Sequence, residues 1–172
     1  MESLFHWIPG RQEVLSSLVM ALKGQGSREL WSHYAEVFWR RKLIGLSKVS
    51  PILLIPSPSR AGEEDHAFYF AKALAELSGA ELYPCLLRAA TKSQRRKSRS
   101  ERFKLEMGWS AKFTKEDFAK RRIGKHIVFV DDIVTTGATS RAAWKSLGKP
   151  RDFAVWSLAQ RGLSCGASRE LV

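Results

Sequence analysis

The sequence predicts an α/β fold built on a mostly parallel central sheet flanked by helices. Three observations support this. Residues 127–130, Ile-Val-Phe-Val, form a continuous apolar run that leads into Asp131 and Asp132, a turn rich in small hydroxyl residues and a helix-like segment ending near Gly148. Residues 52–55, Ile-Leu-Leu-Ile, form a second run, followed by the small-residue loop Pro56-Ser57-Pro58-Ser59-Arg60-Ala61-Gly62 and a further helical pattern. Residues 153–159, Phe-Ala-Val-Trp-Ser-Leu-Ala, form the last. Short apolar runs, each bounded by turn residues and alternating with helices, are the pattern of parallel strands buried on both faces.

The elements follow in order. Residues 1–10 read as an extended or irregular lead that covers part of the core, with Phe5, Trp7 and Ile8 before Pro9-Gly10. Val14, Leu15, Leu18, Val19 and Leu22 have helical spacing, and Gly24 and Gly26 end that helix. A second helix spans about 27–43, with Leu30, Tyr34, Val37, Phe38 and Arg41 on one face and Trp31, Ala35 and Trp39 beside it. Such an aromatic stripe is a core face. The alternative is that Trp39 with Arg40, Arg41 and Lys42 forms a stacking and charge surface for single-stranded nucleic acid. After the first buried strand, residues 64–78 form a helix with Phe68, Ala71, Leu74, Ala75 and Leu77 inward. Glu63, Glu64 and Asp65 suit its positive N-terminal dipole, and Gly79 ends it. Residues 82–87 read as a strand, at an edge because of Pro84.

Residues 88–104 hold eight basic residues and one Glu, with no large apolar residue before Phe103, and so predict a flexible basic loop. Such a segment can also serve as a lid that brings cations over a bound anion. Residues 112–122 are polar and basic, with a turn of helix anchored by Phe113 and Phe118. The chain reads as one domain over 1–172: N-terminal helices forming a small hood (1–45), a core (46–161) and a tail (162–172).

Hydrophobic content of 44% and charged content of 27% are those of a soluble globular protein. No apolar run approaches the roughly 20 residues of a membrane span, and the N-terminus lacks the apolar core of a signal peptide. The expectation is a cytoplasmic protein without membrane insertion. Cys85 and Cys165 lie far apart without a C-x-x-C pattern, which supports neither a disulfide framework nor a zinc site. The net charge of +12, from 29 Lys and Arg against 17 Asp and Glu, attracts polyanions: phosphorylated metabolites, DNA or RNA.

Two consecutive aspartates inside a doubly covered strand would put a carboxylate in the core, so they belong at its end, facing a cleft. There Asp131 and Asp132 can accept hydrogen bonds from a vicinal diol such as that of a ribose. Thr135, Thr136, Gly137, Ala138 and Thr139 offer hydroxyls, close backbone approach and the free N–H groups of a helix start, which together suit a phosphate. Acid pair and cradle describe a site for a ribose 5-phosphate. There is no Walker pattern and no lysine in the turn.

Residues 128–140, VFVDDIVTTGATS, resemble the phosphoribosyl-pyrophosphate (PRPP) motif of type I phosphoribosyltransferases. More of the chain, over roughly 15–161, resembles the ComF family of competence proteins, which are phosphoribosyltransferase-like. The matching pieces are Leu22-Lys23-Gly24, then Asp65-His66-Ala67 with Leu74-Ala75, and then Leu87-Arg88 with Thr91, Gln94 and Arg102. The PRPP motif and the closing Leu158-Ala159-Gln160-Arg161 complete the series. Two features depart from that family. Many members begin with a cysteine-rich zinc segment, whereas no cysteine precedes Cys85 here, and Gly62-Glu63-Glu64-Asp65-His66 stands where members tend to have Arg-Gly-aromatic-Asn-Gln.

The resemblance implies a type I phosphoribosyltransferase fold. It implies PRPP or a related ribose phosphate as ligand, with Mg2+ as cofactor, held at Asp131 and Asp132 directly or indirectly. It implies that Thr135–Thr139 take the 5-phosphate, that Ser57, Ser59 and Arg60 line the pyrophosphate subsite, and that Arg88, Lys92, Gln94 and Arg95 act from the flexible loop. The partners it implies are single-stranded DNA and DNA-uptake proteins, including a helicase-like one. Three functions stay open: a PRPP-binding protein of DNA uptake, an active phosphoribosyltransferase of nucleobase salvage, and a nucleic-acid-binding adaptor with a vestigial pocket.

Overall fold

The computed structural model describes residues 1–8, 13–24, 28–43, 51–59, 65–88 and 106–162. Its centre is the pair of apolar runs. Strand β2 (Ile52–Pro56) is buried at every position, and β6 (His126–Val134) is buried from Ile127 to Asp131. They pair in parallel, Ile52 opposite His126 through Pro56 opposite Val130. With β1 (Glu2–Trp7), β3 (Glu81–Leu82) and β7 (Phe153–Arg161) they make a five-stranded sheet in the order β1-β7-β6-β2-β3. Every pairing in it is parallel. From β2 the chain moves first to β3 on one side, then to β6 on the other. The order therefore reverses between β2 and β6, and open α/β sheets form their ligand crevice at such a reversal.

Alternate residues of β6 go to opposite faces. Val128 and Val130 join Leu22, Trp31, Phe38, Phe70, Trp156 and Leu158 under helices α1 (Glu13–Gly24), α2 (Arg28–Leu43) and α3 (His66–Ser78). Ile127 and Phe129 join Tyr83, Phe118, Ala143, Leu147 and Val155 under α4 (Lys115–Arg121) and α5 (Ala138–Ser146). A short antiparallel ribbon, β4 (Leu86–Arg88) with β5 (Met107–Trp109), lies on this second side. The Tyr83 hydroxyl donates to Asp117 Oδ2 at 2.8 Å, and Arg121 pairs with Glu81, so α4 is tied to the β3 end of the sheet. Helix α3 begins at its N-cap Asp65, whose side chain accepts from the Phe68 N–H, and ends at Gly79 with φ +70°.

Several expectations change. Of the extended or irregular lead expected over residues 1–10, residues 2–7 are extended, as a regular edge strand along β7. On α2 the buried face is Trp31, Ala35, Phe38 and Trp39, while Leu30 and Val37 are exposed. The helix carries apolar residues around most of its girth, and the large rings took the interior. Trp39 is buried and packs near Trp156, as a core stripe requires, which removes the alternative of a stacking surface with Arg40, Arg41 and Lys42. On α1, Val14 is exposed while Leu22 is buried. On α3, Phe70 and Ala73 are buried while Leu77 is exposed. The strand read over 82–87 is broken at Tyr83-Pro84-Cys85 into β3 and β4, since Pro84 cannot donate to a ladder. Cys85 is buried there, and burial pushes its thiol up to about 12, so it is an inert core residue.

Phe70 is fully buried and touches the rings of Trp31 and Phe38. Phe70→Ala is expected to cost about 3–5 kcal/mol, read as a lowered urea midpoint with an unchanged slope.

Candidate functional site

Strand β2 stops pairing with β6 at Val130, where the Ser57 N–H donates to the Val130 carbonyl at 2.7 Å. Beyond that point β6 keeps β7 as its neighbour, with Asp131 opposite Ser157 and Ile133 opposite Ala159. The strand thus continues to Val134, two residues past the acid pair expected at its end, and the pair lies on its free margin. Asp131 Oδ1 accepts the Asp132 N–H at 3.0 Å, and Asp132 Oδ1 accepts the Ile133 N–H at 2.7 Å. These bonds hold both carboxylates at the cleft.

A cavity of about 280 Å³ opens there between Asp131, Asp132, Ser57, Ser59, Asp65 and Arg88. Five of the residues expected at the site therefore converge. Ser59 Oγ and Arg88 Nε are buried without a hydrogen-bond partner, a costly state unless a ligand or water supplies one. Burial, followed by the charge of Asp132, pushes the Asp131 carboxyl up to about 7, and the Ser57 hydroxyl partly opposes this. Asp65 is also raised, chiefly by burial.

Asp65 could not be placed in the site from sequence, because an acid at a helix start is adequately explained as a cap. It also walls an adjoining cavity of about 410 Å³ with Phe68, Ser110, Lys112 and Phe113. The last three follow β5, a three-residue strand too short to leave a periodic pattern.

Thr135, Thr136 and Gly137 do not line the acid-pair cavity. They line a separate one of about 900 Å³. Gly137 has φ +69° and caps α5 without a side-chain bond, and a left-handed position of this kind favours glycine. The Thr136 hydroxyl accepts from the Ala138 N–H at 3.4 Å, and Ala138 and Thr139 form the first turn of the helix. The turn and the acid pair are thus adjacent along β6 but face different spaces. Arg60, Lys92, Gln94 and Arg95 lie outside the described residues.

Among the described residues, no group of three or more His, Cys, Asp or Glu side chains is placed to hold a metal. Two carboxylates beside an open cavity instead suit a hard cation shared with a phosphorylated ligand, the usual arrangement for Mg2+. No described helix is long and apolar enough to cross a membrane.

No family model and no curated protein sequence matches the chain. Among solved structures it is similar to the allosteric regulatory enzyme of purine biosynthesis, with a TM-score of 0.43 and 15% identity over 75% of this chain. It spans 25% of that protein's length. It is also similar to the hypoxanthine phosphoribosyl transferase of Trypanosoma cruzi, with a TM-score of 0.44 and 17% identity over 82% of this chain and 70% of that one.

The raised Asp131 acid fixes the sign of a pH effect. The folded protein keeps this proton up to about 7, whereas the unfolded chain releases it near 3.8. Ionising Asp131 in place therefore costs stability as pH rises through that window. In the absence of ligand and divalent cations, Asp131→Asn is expected to gain stability on the wild type between those values and to level off above them. Chemical denaturation at a series of pH values measures the difference, and a gap that shrinks with rising pH would contradict it.

Proposed function

We propose that the protein binds PRPP, or a closely related ribose 5-phosphate bearing a pyrophosphate, at the ends of β2 and β6. The observation that carries this reading is the pairing of the acid pair with two unpartnered donors, Ser59 Oγ and Arg88 Nε, across one cavity at the sheet's reversal point. Asp131 and Asp132 would accept from the ribose hydroxyls. Ser57, Ser59, Arg60 and Arg88 would face the pyrophosphate. Residues 135–139 would take the 5-phosphate at the head of α5. Mg2+, when bound, would neutralise charge on the pyrophosphate, and Asp131 and Asp132 are the residues able to hold it.

Transfer from such a ligand breaks the bond between the anomeric carbon and the pyrophosphate oxygen, and the ribose ring carries positive charge in the transition state. The demands on the chain are to position both partners, to stabilise the leaving charge and to exclude water. A carboxylate pair beneath the ring and a guanidinium at the leaving group meet the first two.

The ComF resemblance extends this reading to DNA uptake during natural transformation, with single-stranded DNA and a helicase-like protein as partners. The excess of +12 charges favours it, since that far exceeds what one pyrophosphate requires. Salvage of a nucleobase is the second reading, favoured by the complete acid pair.

Calorimetry with Mg2+ and PRPP tests the site. Asp131→Asn with Asp132→Asn is expected to abolish binding and leave the fold intact, and unchanged affinity would sink the assignment. Arg88→Ala is expected to weaken PRPP about tenfold or more, the worth of a charge-assisted hydrogen bond, while sparing ribose 5-phosphate, which lacks the pyrophosphate. Pyrophosphate release across a panel of bases separates salvage from binding alone.

A further inference from the structure

The β4–β5 ribbon brings Arg88 to the acid-pair cavity, yet it is too small to hold its own shape. Each strand has three residues, and an isolated two-stranded ribbon is at best marginally stable in water. Its geometry is therefore set by what it leans on. Leu86 is buried at the start of β4, whereas Arg88 ends that strand and stands opposite Met107, the first residue of β5. At this end the ribbon is tied to α5 through Ser146.

Ser146 is the last residue of α5 and bonds the ribbon twice. Its hydroxyl donates to the Met107 carbonyl at 2.8 Å, and its carbonyl accepts the Trp109 Nε1–H at 3.2 Å. The second bond uses a group that helix geometry leaves free, since the last four carbonyls of a helix have no partner within it. Those of Ala143, Trp144 and Lys145 accept from the N–H groups of Leu147, Lys149 and Gly148 in the turn that follows, and that of Ser146 goes to the ribbon. The Trp109 ring is itself fixed edge-on against Phe118, with 5.5 Å between centroids. The Trp109 bond sets where the ribbon lies against α5. The hydroxyl bond sets the height of Met107, and with it that of Arg88 across the strand pair.

That height decides what Arg88 can do. Among the described residues nothing bonds Arg88 Nε, so its aim beside the acid pair comes from the backbone that carries it. A hydrogen bond weakens steeply as its angle closes, so a shift of the strand end is felt at the guanidinium.

We propose that Ser146 is the positioning residue for Arg88, its hydroxyl holding the strand pair at the height from which the guanidinium meets the pyrophosphate. The PRPP reading supplies what Arg88 meets, and the proposal rests on it there. How Arg88 is held rests on the ribbon geometry alone.

The test is calorimetry of the full chain with Mg2+, using PRPP and ribose 5-phosphate as probes. Alanine is the best helix former, so Ser146→Ala spares α5. It is expected to weaken PRPP about fivefold, the worth of one neutral hydrogen bond, and to leave ribose 5-phosphate unchanged. In the Arg88→Ala background the same substitution is expected to add no further loss, as for two residues acting through one contact. Ser146→Thr keeps the hydroxyl and is expected to restore PRPP affinity. A merely structural Ser146 would weaken both ligands alike or add its full effect to that of Arg88→Ala, and either result overturns the proposal. Arg88 is also followed without ligand, through hydrogen exchange of its Nε–H by NMR. Ser146→Ala is expected to speed that exchange by a similar factor, and Ser146→Thr to leave it slow. Unchanged exchange in Ser146→Ala overturns the proposal whether or not PRPP binds. If the wild type binds no PRPP while the exchange responds as expected, the PRPP reading falls and the hold of Ser146 on Arg88 stands.

Discussion

The hydrogen bond from Ser57 N–H to the Val130 carbonyl marks the point on which the site depends. Up to it, β6 is held between β2 and β7 and buried on both faces. Past it, one margin of the strand is free while the other stays paired. That asymmetry lets two carboxylates stand where the backbone is rigid and the side chains face a cavity. The energetic cost is visible in Asp131, whose acid is held well above its ordinary range mainly by its own burial. A parallel sheet that reverses its winding direction must let neighbouring strands diverge somewhere, and here they diverge at the acid pair.

Much of the frame was legible in the residues. The continuous apolar runs at 52–55 and 127–130 could be buried only on both faces, so two central parallel strands followed directly. The acid pair had to end the enclosed stretch of one of them. What could not be read was which apolar residue of a crowded helix turns inward. On α2 and α3 the periodicity permits more than one face, and ring size and the shape of the facing sheet decide. Short elements were harder: residues 82–87 read as one strand where there are two, β3 and β4, and β5, with three residues, leaves no pattern to detect. Asp65 was hidden in another way, because its capping role already accounts for its identity.

The two halves of the expected ribose-phosphate site belong to one stretch of sequence, and the structure gives them different surroundings. The acid pair shares its cavity with the loop after β2 and with the base of the β4–β5 ribbon. The threonine turn opens toward α5 and β7. Adjacency along a strand places residues at one height of a sheet, but the pleat and the following helix decide which space each side chain enters. The same separation gives the protein two unlike cavities, one lined by the acid pair and the other by Arg141, Lys149, Arg151 and Arg161.

The pairing of β1 with β7 has a consequence for how the chain comes to be folded. Glu2 lies opposite Trp156, and Trp7 opposite Arg161, so the two strands of this edge stand about 154 positions apart in the chain. During synthesis at roughly 5–20 residues per second, β1 waits on the order of ten seconds or longer for its partner to be made. Through that interval Leu4, Phe5 and Trp7 have no sheet to join. Closing this edge is the least local strand pairing among the described residues, the kind of contact that slows folding most. Until then an apolar strand stands without its own neighbour, and its backbone groups are open to pairing elsewhere.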